Sequence, residues 1–197
     1  AGTVRWLDEA LISGDVIDGR VAIGGDLDDW PFRNQTGAFQ ALARTRDAML
    51  RFDPEWPTAR QLDIDLAFDA IGFSLQGSGS LQENKVSSVA GGIADFREPL
   101  LSLDIDAKGS GEKLRLLMIS SPLNKEYGEH LRAVTIRGDA AVALALRLPL
   151  GRAQGEKKID GTLDLSRASL ADSRWDIAFT DVSGRTRFTR QGFATED

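Results

Sequence analysis

The 197-residue chain contains no cysteine. Disulfide bridges and cysteine-ligated zinc are therefore excluded. It contains one histidine, His130, beside Glu129 in a polar stretch, and no Gly-x-Ser-x-Gly elbow accompanies it. A serine-hydrolase triad has nothing to assemble around it, and a transition-metal site would rest on carboxylates alone. No run approaches the roughly 18 apolar residues of a membrane-crossing helix. The opening Ala1-Gly2-Thr3 leads into an amphipathic stretch, not the apolar core of a signal peptide. Positive charge is scarce: 24 Lys and Arg face 30 Asp and Glu, for a net charge of -6. The basic clusters, Lys157-Lys158 and the spaced Arg185, Arg187 and Arg190, are too small to form the stripe that neutralises a phosphate backbone. Nucleic acid is not an expected partner.

Alternation is abundant. Leu62, Ile64, Leu66 and Phe68 point one way, and Asp63, Asp65 and Asp69 the other. Leu101, Leu103 and Ile105 oppose Ser102, Asp104 and Asp106. Val134, Ile136, Ala140, Val142, Leu144, Leu146 and Leu148 oppose Thr135, Arg137, Asp139 and Arg147. Leu163 and Leu165 follow Ile159 on one side, against Asp160, Asp164 and Ser166, and Ile177 and Phe179 alternate with Asp176 and Thr180. Period-two patterning predicts half-buried antiparallel strands with one wet face. Weaker strands are expected at 15–27, 37–45, 48–53, 71–82 and 85–95, with a bulge or bend at Gly91-Gly92. Two segments carry helical spacing. Thr3 to Ile12 places Trp6, Leu7, Ala10 and Leu11 on one side. Ser110 to Ile119 does so with Leu114, Leu117 and Met118, capped by Ser110 and stopped by Pro122. A further helical turn is expected near Lys125 to His130. The fold class is thus mainly β, an antiparallel sheet with two short amphipathic helices.

Several apparent motifs fail on inspection. Gly109-Ser110-Gly111-Glu112-Lys113 suggests a phosphate loop, but Glu112 separates Gly111 from Lys113 and Leu114 replaces the required hydroxyl. Asp26-Leu27-Asp28-Asp29 lacks the glycine and distal glutamate of a calcium loop. Asp63, Asp65 and Asp69 occupy the wet face of one strand, where solvation explains them and no paired-carboxylate cleft is formed. No catalytic residue, metal ligand or cofactor is expected. Trp30-Pro31-Phe32 and Trp56-Pro57 put a tryptophan before proline in loops; they read either as plugs under the sheet rim or as the lining of an entrance.

The chain also resembles itself. Val21-Ala22-Ile23 is similar to Val142-Ala143-Leu144, Gly37-Ala38-Phe39 to Gly161-Thr162-Leu163, and Asp65-Leu66-Ala67-Phe68 to Asp176-Ile177-Ala178-Phe179. Two helix-plus-sheet units are expected, 1–108 and 109–197, continuing one sheet. About ten strands ~4.8 Å apart make a sheet ~45–50 Å wide, and a helix is roughly 10 Å across. Two helices cannot cover that apolar face. The rest must be hidden by curling, by a neighbouring segment, or by an apolar ligand.

The order of weak motifs resembles a family. Ile12-Ser13-Gly14-Asp15-Val16-Ile17-Asp18-Gly19-Arg20 is followed by Gly25-Asp26-Leu27, Trp30-Pro31-Phe32, Gly37-Ala38-Phe39 and Asp53-Pro54-Glu55-Trp56-Pro57. Ser120-Ser121-Pro122-Leu123 and Leu146-Arg147-Leu148-Pro149-Leu150 come later. Together they look like the central region of the YhdP-like branch of the AsmA-like envelope proteins. The resemblance implies a periplasmic piece of a longer, inner-membrane-anchored chain. It implies a taco-like β groove, phospholipid movement between inner and outer membranes in support of the outer-membrane barrier, and no enzymatic activity. The partners implied are phospholipid acyl chains and adjoining segments of the parent chain. The residues it assigns to lipid are the apolar set Leu62, Ile64, Leu66, Phe68, Leu101, Leu103, Ile105, Val142, Leu144, Leu146, Leu148, Leu163, Leu165, Ile177 and Phe179. The alternative is a structural or protein-interaction β module of the envelope.

Overall fold

A computed structural model describes residues 10–51, 54–150, 155–189 and 192–195. Its core is one antiparallel sheet laid down as a meander: β1 (Leu11–Gly25), β2 (Gly37–Leu50), β3 (Ala59–Asp69), β4 (Phe73–Leu81), β5 (Asn84–Ile93), β6 (Leu100–Ser110), β7 (Val134–Pro149), β8 (Lys158–Asp172), β9 (Ile177–Thr189) and β10 (Gly192–Thr195). Each strand pairs with its sequence neighbours in that order, and the sheet does not close on itself. Two helices interrupt the meander between β6 and β7, α1 (Gly111–Ile119) and α2 (Asn124–Ala133). The expected mainly-β class is what the chain adopts, and of the two expected helices the one at Ser110 to Ile119 is present as α1.

The register explains the alternation. Residues opposite one another in an antiparallel pair share a face. Leu66 lies opposite Ala43 and Leu75, Leu75 opposite Gly91, Gly91 opposite Leu103, Leu103 opposite Leu146 and Leu146 opposite Ile159. A second row runs Ile64, Gly77, Val89, Ile105, Leu144, Gly161 and Phe188. Asp65, Gln76, Ala90, Asp104, Ala145 and Asp160 form the corresponding row on the polar face.

Irregularities fall near one end of the strands. The β2–β3 register shifts around Asp47 and again around Gln61, and the β8–β9 register shifts around Arg167 and Asp181. All four residues have positive φ, the mark of bulges that bend a strand and tighten its twist. The Asp47 amide, freed from the ladder, donates to Asp63 Oδ1 at 3.0 Å, and the Arg167 amide donates to Ser183 Oγ at 2.9 Å.

Local chemistry sets the helix ends. Ser110 Oγ accepts from the Lys113 amide, so the glycine-rich segment is an N-cap. Gly111 is needed for packing, since a Cβ there would meet Ile136 Cγ2 at 2.2 Å. Arg115 ties the two helices by donating to the Leu131 carbonyl at 2.8 Å. It also pairs with Glu112, whose carboxyl it holds below the ordinary range.

Several expectations need correction. Of the helix expected at Thr3 to Ile12, residues 1–9 lie outside the described residues, Ala10 is helical, and Leu11 and Ile12 already belong to β1. The separate strands expected at 37–45 and 48–53 are, as far as Leu50, one strand, β2, kinked at Asp47, and residues 52 and 53 lie outside the described residues. The turn expected at Lys125 to His130 is a full helix, α2. Gly91-Gly92 is not a bulge. The register runs unbroken through it, and the glycines permit close approach, because a Cβ at Gly91 would meet the Ser102 carbonyl oxygen at 1.9 Å. The irregularity in β5 sits at Val86–Ser88 instead.

Candidate functional site

The site is the apolar face with the elements along its two sides. The register places all fifteen residues of the expected apolar set on this face. Phe68 is opposite Phe73, Leu101 opposite Ile93 and Leu148, Val142 opposite Ala107 and Leu163, and Ala140 opposite Leu165. Beyond the β8 and β9 bulges, Leu170 is opposite Phe179, and Ile177 opposite Asp172. Their surroundings differ. Leu101 and Leu146 are 6% and 3% exposed, whereas Ile177 and Phe179 are 44% and 57% exposed. Most of the others are half-buried, as expected of a surface that is lined but not filled. Phe39, Phe73, Leu75, Val89, Ile93 and Phe188 lie on the same face and fall outside the expected set. Alternation was visible at Phe73-Ser74-Leu75-Gln76, but the glycines and serines of β4 and β5 blur it.

The loop side carries aromatics. Phe68 stacks on Phe73 with centroids 5.5 Å apart, and Phe73 on Phe96 at 6.2 Å. Trp30 meets Phe32 and Phe39 edge-on, at 5.6 and 5.4 Å. The β1–β2 loop carrying Trp30 is tied to the β5–β6 loop. Arg33 Nη1 and Nη2 donate to the two carboxylate oxygens of Asp95 at 2.7 and 2.8 Å. The Arg33 guanidinium, aided by the Arg97 amide, holds the Asp95 carboxyl far below the usual carboxylate range.

The helix side is closed by α1 and α2. Asn84, at the start of β5, is fully buried; its Nδ2 donates to the Leu81, Gln82 and Lys113 carbonyls, each at 3.2 Å. Ser120 Oγ hydrogen-bonds Gln82, and Lys125 pairs with Glu55 in the β2–β3 loop. The helix pair therefore reaches from β7 back to β3. Trp56 in that loop is half-buried.

The polar face is organised by ion pairs between neighbouring strands: Arg44 with Asp65, Arg147 with Asp104, Arg185 with Asp164 and Arg187 with Asp160. Two shallow depressions of about 480 and 800 Å³ lie over β1 to β5, edged by Arg44, Asp65 and Gln76 among others. Four of the carboxylates set aside in the sequence, Asp26, Asp63, Asp65 and Asp69, have structural partners. Asp69 Oδ1 accepts from the Ile71 and Gly72 amides to close the β3–β4 turn, and Asp26 caps a short 3-10 turn, Leu27–Asp29. His130 is exposed and its Nδ1 meets Arg174 Nη1 at 2.8 Å. Among the described residues no cluster of His, Cys, Asp or Glu could hold a metal, and no helix is long and apolar enough to cross a membrane.

An open antiparallel sheet with a continuous apolar face and two helices at one side defines the class: a mainly-β, open-sheet protein. A family model described as YhdP protein matches residues 1–197, and the chain belongs to that family. Over 194 residues it is 27% identical to the intermembrane phospholipid transporter YhdP of Escherichia coli (strain K12), a match covering 98% of this chain and 15% of that relative. The chain thus spans under a sixth of that relative's length. No solved structure matches.

Proposed function

We propose that the apolar face is a non-catalytic lipid surface, on which phospholipid acyl chains lie across the strands while head groups remain at the open side. One observation carries this reading. The register lines up apolar side chains from β2 to β9 on a single face, and among the described residues no second sheet covers it. The two helices reach only one side. Burying an acyl chain yields ~0.8 kcal/mol per CH₂, so about 16 carbons offer on the order of 10 kcal/mol before ordering costs. Few polar contacts are then needed. The transporter relative supports the lipid class. The family resemblance supports a periplasmic setting in an inner-membrane-anchored chain, service to the outer-membrane barrier, and adjoining segments of that chain as neighbours.

The reading extends to two consecutive units, 1–108 and 109–197. The Arg44–Asp65 pair recurs 120 residues on, with charges exchanged, as Asp164–Arg185. The bulge residues Asp47 and Gln61 recur as Arg167 and Asp181, and the amide cap Asp63 as Ser183, all at the same offset. Gly14, whose Cβ would meet Ala48 Cα at 2.6 Å, is matched by Gly138, whose Cβ would meet Ala168 Cα at 2.9 Å. On this offset Asp65 corresponds to Arg185, not to Asp176.

The test is lipid capture. The purified chain is incubated with vesicles of phosphatidylethanolamine and phosphatidylglycerol, re-isolated and extracted. Photo-crosslinking residues are placed at Leu66 and Leu144, with Asp65 and Ala143 on the polar face as controls. Lipid is expected in the extract, and lipid adducts at 66 and 144 only. Recovery of no lipid and no adducts would falsify the reading. It would favour a second one, a structural or protein-interaction β module, for which the near-complete burial of Ile93, Leu101 and Leu146 already speaks.

A further inference from the structure

We infer that the β1–β2 loop, residues 26–36, is a latched strap over one side of the apolar face, and that an acyl chain enters there when Arg33 releases Asp95. This rests on the lipid reading above. The near end of the strap is anchored by packing. Phe32 is buried against the start of β2, where a Cβ on Gly37 would meet its Cδ1 at 2.6 Å, so that position must be glycine. Trp30 lies on Phe39, whose strand position opposite Ile23 puts it on the apolar face. The far end is tied to the β5–β6 loop by the bidentate Arg33–Asp95 pair, across 62 residues of sequence. The β5–β6 loop that it reaches carries Phe96, the end of a row of stacked rings with Phe73 and Phe68.

The closed strap is under local strain. Phe32 and Gln35 have φ of 59° and 60°, a left-handed conformation that costs a residue with a Cβ. Arg33 Nε is buried and has no hydrogen-bond partner, an uncompensated group of the kind folded proteins mostly avoid. The bidentate pair offsets these costs at one point, 23% and 36% exposed on its two sides and thus reachable by water. A segment strained internally, packed at its near end and closed at its far end by one ion pair is a two-state element whose balance can be tipped. Opening it bares the aromatic edge of the groove sideways without unpairing any strand. The strap therefore controls how fast a chain enters and leaves, not how tightly it is held.

The chain has no cysteine, so an Arg33→Cys/Asp95→Cys variant presents two unique thiols. One sample is bridged with a short bismaleimide, holding the strap shut; a second has both thiols capped singly with N-ethylmaleimide, leaving it open. Transfer of a fluorescent-tailed phosphatidylethanolamine from phosphatidylethanolamine–phosphatidylglycerol vesicles is followed for both and for the unaltered chain. The bridged form is expected to exchange about tenfold more slowly than the capped form, as for a lid that sets a rate, with equal final occupancy. Arg33→Gln, which breaks the latch without cysteine, is expected to exchange faster than the unaltered chain. Equal rates for bridged and capped forms overturn the strap while leaving the lipid reading intact. Uptake absent from every form, open or shut, overturns both.

Discussion

Asn84 on β5 holds the backbone carbonyl of Lys113 on α1 at 3.2 Å, and through that bond the helix pair is fastened to the sheet. The side chain is wholly buried, donates to two further carbonyls, and has its Oδ1 against Gly109, where a Cβ would come within 2.3 Å. Asn84→Ala strands three carbonyls and leaves a void, at a cost of about 2–4 kcal/mol. The melting temperature is expected to fall by roughly 5–15 °C. Asn84→Asp replaces the donor with a group that must stay protonated to face carbonyls. Burial raises its folded-state pKa, so its stability is greatest below the ordinary carboxylate pKa of about 4 and is lost as pH rises. Thermal melts across pH check both variants, and a flat pH profile for Asn84→Asp would contradict the geometry.

The bulges predict substitutions of opposite sign. Arg167 is exposed at φ 47°, and its side chain is not needed for the bulge, whose amide is held by Ser183. Arg167→Gly removes left-handed strain and is expected to stabilise by up to about 1 kcal/mol. Gly138, at φ 102° with Ala168 Cα in the way, does not accept a methyl group. Gly138→Ala is expected to destabilise by about 1–3 kcal/mol. Urea titrations measure the two.

Core and lining are separable on one face. Leu146 is 3% exposed and Phe179 57%. Leu146→Ala is expected to cost about 2–4 kcal/mol, and Phe179→Ala less than about 0.5 kcal/mol. Equal losses at the two positions, read from denaturant midpoints, would mean that Phe179 is covered in solution.

Acid acts on the strap. Arg33 and the Arg97 amide hold the Asp95 carboxyl well below its ordinary value. A depressed carboxyl pKa contributes stability above the unfolded value of about 3.9 and loses it as pH falls further. Amide hydrogen exchange in residues 26–36 is therefore expected to accelerate between pH 4 and lower values, relative to exchange in β7 (both read with the usual intrinsic-rate correction). In Asp95→Asn the strap exchanges rapidly throughout and the acid step vanishes.

Much of this fold was legible because burial is one-sided. Leu62 to Phe68, Leu101 to Ile105 and Val142 to Leu148 alternate cleanly since one face of the sheet is apolar and the other carries ion pairs. Ser110 and Pro122 marked α1 because caps and stops are local chemistry. The β2 bulge was not legible. Asp47 is an ordinary polar residue in sequence, and the group that holds its freed amide is an Asp63 carboxylate sixteen residues away. The tie between Arg33 and Asp95 was equally hidden, since it depends on which loops the sheet brings to the same side. Gly91-Gly92 misled for a related reason: the neighbour that forbids a side chain is a carbonyl on β6.

A meander in which every strand lies beside its predecessor has no crossover to rethread. A hairpin gained or lost at either edge leaves the pairing of all remaining strands as it was, and adds or removes about 10 Å of width. The span of such a structure can thus be tuned in small, independent steps by changes in chain length alone. Each new strand also finds its partner already in place, so assembly can proceed outward from whatever has formed, between strands that are neighbours in sequence.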